Sequence, residues 1–189
     1  MADDGNRRRL DRQVLHDGPY LRLLADTVEG LAPPGVYEHV EVSDAVRVVA
    51  VDADGLVLLV QDEFYLTGRR MTHLPGGGIE PGEEAPAAAA RELEEETGWR
   101  ASAWQRLGLI HPLPSSTAAV THLFLARDLT PGRIARDTTE EHMTVHRATP
   151  AEVLAMVHDG TITEAGSVAA ILQAAHLLRP GNGDRRSDG

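Results

Sequence analysis

Three glutamates at helical spacing are the residues of this chain best suited to hold a divalent cation. Glu92 and Glu95 are three positions apart and Glu92 and Glu96 are four apart, so the three side chains share one face of a helix. Like charges at this spacing repel by roughly 0.2–0.5 kcal/mol, and the helix dipole disfavours anions near a C-terminus. Mg²⁺ or Mn²⁺ would offset both effects, because hard cations bind carboxylate oxygens. An isolated acidic run would instead be typical of a solvated helix face, so the surrounding residues decide between the two interpretations.

The neighbouring residues predict a loop followed by a helix that would position these glutamates. Pro86 suits the first turn of a helix, residues 87–90 are alanines, and Gly98 suits a left-handed C-terminal cap. Upstream, three consecutive glycines follow Pro75. Glycine at those positions allows the backbone to approach a metal ion or a phosphate closely. Arg91 could pair with one of the carboxylates and hold it in place.

Nine residues across this segment match the spaced pattern of the Nudix box without a gap. The chain therefore resembles the Nudix hydrolases, which cleave a nucleoside diphosphate linked to another group. The resemblance implies that the three glutamates bind Mg²⁺ or Mn²⁺, with the backbone carbonyl of Gly76 as an additional ligand. It also implies that Glu95 and Arg91 take part in catalysis, whereas Glu83 could either ligate a metal or pair with Arg91. The matching positions are Gly77, Glu83, Arg91, Glu92, Leu93, Glu95, Glu96, Gly98 and Trp99.

Beyond the box, the layout is similar to the ADP-ribose and ADP-sugar pyrophosphatases of this family. In that subfamily a leading β-region precedes the Nudix core and often builds a homodimer. A proline follows the box by about fifteen positions, and Pro114 stands there, either in the substrate site or as an ordinary turn proline. The subfamily takes its general base from a glutamate in a late loop, which here contains Glu140 and Glu141. The resemblance thus implies a nucleotide-sugar substrate, ADP-ribose first, and a homodimer.

Two departures from the subfamily pattern leave the substrate open. His73 stands where an acidic residue usually precedes the glycine loop, and residues 61–63 read Gln-Asp-Glu where Gln-x-Arg is common. Arg69 and Arg70 are either the replacements for the missing phosphate-binding arginine or residues of a surface loop. The alternatives are a Nudix hydrolase of a GDP-sugar or of a non-standard nucleoside triphosphate, and a Nudix domain that senses an ADP-ribose-like ligand without turnover. Such sensors tend to lose box carboxylates, all of which are present here.

The composition excludes several other classes of protein. The 189 residues carry a formal net charge of −11 and contain no cysteine. A strongly acidic chain repels nucleic acid and anionic membranes. Without cysteine, disulfides, zinc–thiolate sites and thiol catalysis are excluded. The sequence has neither a signal-peptide pattern nor a membrane-spanning apolar run, so we expect a cytoplasmic protein without nucleic-acid or membrane partners.

The fold class that these patterns imply is α/β, a Nudix-type α/β/α sandwich with a mixed β-sheet and an N-terminal β-region. We expect disordered polar tails at 1–10 and 179–189, the β-region at 11–44 as a candidate dimer surface, and the Nudix domain at 45–178. Thr149 and Glu152 predict a capping box. The predicted strands are 20–28, 37–42, 45–52, 56–61, 104–110, 120–126 and 143–148, with a hairpin turn at Asp54-Gly55, a polar loop at 130–141, and helices at 150–159 and 164–178 after the box helix.

Overall fold

The computed structural model describes residues 7–33, 35–133 and 142–178. They divide into two compact units. Unit 1 is formed by Met1–Asp44 and His111–Ala119, and unit 2 by Ala45–Ile110 and Val120–Gly189. Within the described ranges, no helix is long and apolar enough to cross a membrane.

Unit 1 contains a three-stranded antiparallel sheet. Its strands are β1 (Arg9–Asp17), β2 (Arg22–Val28) and β3 (Val36–Glu41), in the order β1-β2-β3. The predicted strands at 20–28 and 37–42 are therefore confirmed with shifted ends.

Strand β1 was not predicted. Because it begins at Arg9, the expected disordered tail at 1–10 is wrong for its last two residues. Eight of the nine β1 residues are exposed, so the strand has no alternating apolar pattern that would reveal it. The ladder with β2 holds it instead, together with an ion pair. Arg12 donates from Nε and Nη2 to the two Asp26 carboxylate oxygens at 2.7 and 2.9 Å.

Unit 2 contains two three-stranded sheets and three helices. One sheet has the order β4-β8-β7 and the other β6-β5-β9. Strand β4 runs parallel to β8, and the remaining pairs are antiparallel. The predicted mixed α/β architecture is confirmed. The elements are β4 (Ala45–Ala50), β5 (Val57–Phe64), β6 (Arg69–His73), α1 (Ala85–Thr97), β7 (Trp99–Ile110), β8 (Thr121–Pro131), β9 (Thr144–Ala148), α2 (Pro150–His158) and α3 (Ala165–Ala174).

Both faces of β4 are buried in separate apolar clusters. Val46 and Val48 pack in one cluster with Leu93 of α1. Val49, which points to the opposite face, packs in a second cluster with Ile171 of α3. A strand covered on both faces reads as a nearly continuous apolar run. This burial explains the β-branched run that predicted β4 and places it between α1 and α3.

The local signals that bound the helices are confirmed. Pro86 lies in the first turn of α1, and Gly98 ends that helix at φ 73° while its N–H donates to the Glu94 carbonyl. The φ value is in the left-handed region that favours glycine. At the start of α2, Thr149 and Glu152 form the reciprocal capping box. These signals act within one or two turns, so the sequence alone reveals them.

Several predicted boundaries in unit 2 are wrong. Strand β6 was not predicted, β7 begins at Trp99 rather than 104, and β8 continues to Pro131 into the predicted polar loop. Backbone hydrogen bonds between antiparallel strands do not require apolar side chains, so polar strand ends give no sequence signal. The turn at Gly55 forms, with φ 77°, but it joins strands of two different sheets rather than a two-stranded hairpin.

Candidate active site

The glycine loop between β6 and α1 is fastened to the backbone of β4. The N–H groups of Val48 and Val46 donate to the carbonyls of Pro75 and Gly77, both at 2.9 Å. Gly76 has φ 140°, and a Cβ at that position would overlap the Val46 carbonyl. Only glycine permits this combination of conformation and close approach. The strand beneath the loop therefore requires glycine at position 76, and the predicted close approach of the loop to a metal ion or a phosphate stays a prediction.

Two box carboxylates reach this loop from α1. The Glu96 carboxylate accepts the Gly76 N–H at 2.9 Å, and Glu96 is only 3% exposed. The Glu92 carboxylate lies beside Gly77, where a Cβ would come within 2.5 Å of Glu92 Oε1. Both glutamates are buried, and they lie on the same face of α1, as their spacing of four residues predicts. The helix thus brings two carboxylates against the glycine loop.

Arg91 connects the carboxylates of the box. Its Nη1 donates to Glu92 Oε1 at 2.9 Å and to Glu95 Oε2 at 3.1 Å. Its Nε and Nη2 each donate to Glu83 at 3.0 Å, and Nη2 also donates to the Gly78 carbonyl at 2.9 Å. Of the two roles the sequence left open for Glu83, the structure shows the pairing with Arg91. A planar guanidinium with five N–H donors can make all of these contacts at once.

The titration behaviour of the box follows from these contacts. Hydrogen bonds with Glu83 raise the pKa of Arg91 above its ordinary value, and the same contact lowers the pKa of Glu83. Burial raises the pKa of Glu92, an effect that the positive charge of Arg91 opposes and that the neighbouring Glu95 reinforces. One arginine therefore does not fully offset the cost of burying the Glu92 charge. An added cation at this place would offset the remainder.

The donor set suits a hard divalent cation. It contains the carboxylates of Glu92 and Glu96 and the backbone carbonyl of Gly76, all oxygen donors of the kind that Mg²⁺ and Mn²⁺ prefer. Among the residues that the structure describes, no three His, Asp or Glu side chains already converge as a ready-made metal site. Arg91 and the Gly76 N–H occupy the carboxylates instead. The residues fit a metal by their chemistry, and the metal would share the Glu92 carboxylate with Arg91.

The two arginines predicted to bind substrate lie on strand β6 and not in a loop. Arg69 and Arg70 line a cleft of about 640 Å³ together with Asp62, Glu63 and His142. Arg70 is already engaged through Nη2, which donates to the carbonyls of Gln61 at 3.3 Å and His142 at 3.2 Å and to Thr144 Oγ1 at 3.4 Å. The Arg69 backbone pairs with Phe64 of β5, but its side chain makes no hydrogen bond or ion pair with any residue in the described ranges. The two neighbours are therefore not equivalent.

Three other predicted site residues belong to unit 1 or lie outside the described residues. Pro114 belongs to unit 1, where it lines a cavity of about 240 Å³ with Tyr37 and His39. Glu140 and Glu141 lie outside the described residues, so their predicted role as general base stays a prediction.

Sequence reasoning missed a charged group that also contacts the glycine loop. Arg47 interrupts the apolar run of β4, and its side chain donates to the Gly76 carbonyl and, from Nε, to Glu164 Oε2 at 3.0 Å. A charged residue within an otherwise buried strand needs a partner, and this was the signal available. Its partner is 117 positions away, however, and no local pattern connects them.

His73, the departure from the subfamily pattern, is a buried residue of β6. It is 3% exposed, its Nδ1 lies 2.9 Å from the Leu74 carbonyl oxygen, and its ring packs edge-on to Phe64 with the centroids 5.3 Å apart. Burial lowers the pKa of His73, and the positive charge of Arg47 lowers it further. The imidazole is therefore neutral at neutral pH, and it cannot supply the negative charge of the acidic residue it replaces.

Comparison with known proteins agrees with this geometry. The NUDIX domain family model matches residues 42–169. The chain is 32% identical over 178 residues to an ADP-ribose pyrophosphatase of Mycobacterium tuberculosis, covering 91% of this chain and 84% of that protein. It is 28% identical over 168 residues to an ADP-ribose pyrophosphatase of Bacillus subtilis, covering 87% and 90%. A crystal structure of an ADP compounds hydrolase has the same fold, with a TM-score of 0.77, 24% identity, and coverage of 91% of this chain and 94% of that chain. With its box on the glycine loop and α1, this chain belongs to the Nudix family.

Proposed function

We propose that this Nudix pyrophosphohydrolase cleaves the pyrophosphate bond of ADP-ribose and releases AMP and a sugar phosphate. The observation that carries the proposal is the extent of similarity to the two ADP-ribose pyrophosphatases, which match 91% and 87% of this chain. At 91%, only 9% of 189 residues, about 17, stay unmatched. The similarity must therefore include much of the N-terminal strand region as well as the Nudix box that all family members share.

Nudix hydrolases generally use divalent metal ions. In this chain Glu92, Glu96 and the Gly76 carbonyl would hold the ion, which we propose is Mg²⁺ or Mn²⁺. The bound ion would supply charge neutralisation on the diphosphate. Arg91 would orient Glu92 and Glu95, and the 36% exposure of the Glu95 side chain against 10% for Glu92 leaves Glu95 nearer to solvent and substrate. Glu83 acts through Arg91, as its two hydrogen bonds indicate.

Arg69 is the better candidate for a substrate contact. It lines the cleft of unit 2 and its side chain has no partner within the described ranges, so its guanidinium can bind a phosphate. Arg70 instead fixes His142 and Thr144 at the entry to β9, directly after the segment that contains Glu140 and Glu141. We therefore expect Arg69→Ala to raise KM for ADP-ribose and Arg70→Ala to lower kcat. Equal effects of the two variants on both parameters would contradict this division.

The general base is proposed to be Glu140 or Glu141. Glu140→Gln and Glu141→Gln, measured separately, should show a large loss of kcat in one variant and near wild-type kcat in the other. Two variants with near wild-type kcat would exclude both residues. The matched control is Glu152→Gln, which alters a carboxylate in the capping box of α2.

A substrate panel tests the proposed activity. The full chain is incubated with ADP-ribose, a GDP-sugar and an oxidised deoxynucleoside triphosphate, each with Mg²⁺ and with Mn²⁺, and the release of AMP, GMP or pyrophosphate is measured. We expect the highest kcat/KM for ADP-ribose with AMP as product. Faster release of GMP or pyrophosphate would transfer the assignment to one of the other substrates. Tight ADP-ribose binding without hydrolysis of any panel member would identify a sensor.

We further propose that the protein is a cytoplasmic homodimer and that unit 1 supplies the dimer contact. Strand β1 is an edge of its sheet, and its Leu10, Val14 and Leu15 side chains are 53%, 45% and 43% exposed. An open edge with exposed apolar side chains favours pairing with another chain. Light scattering after size exclusion should give a dimer mass, and Val14→Asp should shift it towards the monomer. A monomeric wild type would refute the proposal.

A further inference from the structure

A charged network joins the first turn of α3 to strand β4. Glu164 is the N-cap of α3, and its carboxylate accepts the N–H groups of Gly166 at 2.9 Å and Ser167 at 2.7 Å and the Ser167 hydroxyl at 2.7 Å. The same carboxylate accepts Arg47 Nε at 3.0 Å. The two charged side chains are only 13% and 21% exposed, for Arg47 and Glu164 respectively. Because a buried charge without its partner is costly, each of them depends on the other.

This network ends on the glycine loop at two points. Arg47 Nη1 donates to the backbone carbonyl of Gly76 and to that of Val46, the latter at 3.1 Å. Ser167 Oγ, which is fully buried, accepts the Leu74 N–H at 2.9 Å. The loop is thus held at two peptide groups, one on each side of Pro75, by Arg47 from β4 and by Ser167 from α3. These contacts add to those that β4 and Glu96 make with the same loop.

We propose that Arg47, Glu164 and Ser167 are positioning residues that set the orientation of the Gly76 carbonyl as a metal ligand. A carbonyl oxygen has two lone pairs, so it can accept one N–H from Arg47 and still offer the other lone pair to a cation. A guanidinium on a metal ligand would by itself repel the metal. Glu164 offsets that charge through the ion pair, while its hydrogen bonds to α3 keep it in place.

The proposal rests on the metal role proposed for Gly76 but not on the choice of substrate. It predicts that Glu164 matters for the metal through its charge and not only through the stability of α3. Glu164→Gln keeps the size of the side chain and one acceptor oxygen, but it leaves the Arg47 charge unbalanced beside the loop. Arg47→Lys keeps the positive charge, but a single ammonium replaces the fork that contacts Glu164 and Gly76 together.

The test measures Mn²⁺ affinity on the full chain by electron paramagnetic resonance of free Mn²⁺, together with Tm without metal. We expect Glu164→Gln and Arg47→Lys to raise the Mn²⁺ Kd about tenfold, the size of a modest Coulombic change near a partly buried site. The Mn²⁺ concentration needed for half-maximal kcat should rise by a similar factor in these variants, and KM for the substrate should change little. Ser167→Ala, the mildest change, should raise the Kd in the same direction by a smaller factor.

Thr149→Ala is the matched control, because it removes a helix cap whose side chain bonds to Glu152. It should lower Tm and leave the Mn²⁺ Kd unchanged. Network variants that lose Tm while keeping the wild-type Kd would overturn the proposal and leave the network a purely structural role. A wild type that binds no Mn²⁺ would refute the metal role of Gly76 and this inference together. If Glu164→Gln fails to fold, Ser167→Ala and Arg47→Lys decide the outcome by the same comparison.

Discussion

Alanine at Gly76 and alanine at Gly77 should have different consequences, although the two positions are adjacent. At Gly76 a Cβ would overlap the backbone of β4, and φ 140° is a conformation that L side chains rarely adopt. The backbone atoms that the Cβ would meet cannot move without shifting strand β4. At Gly77 the three heavy atoms nearest to a Cβ would be those of the Glu92 carboxylate, at 2.5, 2.8 and 2.9 Å. That group is the far end of a flexible side chain and can rotate away.

The expected magnitudes follow from what must move. Gly76→Ala combines overpacking with a strained φ, which together cost about 3 kcal/mol and should lower Tm by roughly 6–12 °C. Gly77→Ala should cost less than about 1.5 kcal/mol, because only the Glu92 carboxylate is displaced. That displacement should nevertheless lower kcat/KM about 100-fold, the usual result of moving a catalytic group by about 1 Å. One variant thus loses stability, and the other loses activity.

Thermal unfolding and steady-state kinetics on ADP-ribose, with Mn²⁺ in excess, measure the two effects. Gly82→Ala is the control, because it makes the same substitution between the loop and α1 where a Cβ would meet nothing within 4 Å. Its left-handed φ of 82° should cost about 1–2 kcal/mol, and kcat/KM should stay near wild type. Wild-type kcat/KM in Gly77→Ala would refute the idea that Glu92 needs this space. An unchanged Tm in Gly76→Ala would refute the close approach to β4.

Further predictions concern the charged groups around the loop. Arg91→Lys should lower kcat by about 10- to 100-fold, because one ammonium cannot contact Glu83 and Glu92 together; kinetics at saturating metal tests this, and wild-type kcat would contradict it. Glu96→Gln should lower kcat by about 10³-fold while circular dichroism stays native, and an unimpaired kcat at saturating metal would overturn the metal assignment. Burial opposes ionisation of Glu164, but the positive charge of Arg47 and hydrogen bonds from α3 outweigh it and lower its pKa to about 2, from an ordinary 4.5. Its folded pKa is depressed, so its contribution to stability is present above pH 4.5 and is lost as pH falls towards 2. The free energy of unfolding of wild type should therefore fall by up to about 3 kcal/mol more than that of Glu164→Gln across this range, and parallel curves would contradict it.

The parts of the site that the sequence predicted are those encoded within a few helical turns. Glu92 and Glu96 share a face because they are four residues apart, and Gly98 ends the helix because its φ must be positive. These relations need no knowledge of the rest of the fold. The pairing of Arg91 with Glu83 is nearly as local, at a separation of eight residues. It was one of the two roles that the sequence left open for Glu83. Strand β4 was predictable because a strand buried on both faces reads as an apolar run, and the mixed sheet was implied by the resemblance to the Nudix hydrolases.

What the sequence did not reveal depends on tertiary position. Strand β1 is exposed along most of its length, and β6 begins with two arginines, so neither shows the alternation that marks a half-buried strand. The contact between Arg47 and Glu164 spans 117 positions and exists only because β4 packs beside the start of α3. Each of these two residues looks ordinary alone, one as a lone charge in a strand and the other as a helix cap.

The residues that would contact the metal and the residues that position them differ in the same way, the first being local in sequence and the second distant. The residues that a metal would contact lie on one helix and one loop, and the Nudix box describes both. The groups that fix the loop come from β4, α1 and α3, so the position of one carbonyl depends on three elements distributed through unit 2. We therefore expect substitutions elsewhere in unit 2 that leave the box unchanged to alter metal affinity without touching a proposed ligand. Gly76, which contacts Glu96 through its N–H and Arg47 through its carbonyl, is the residue at which such effects should converge.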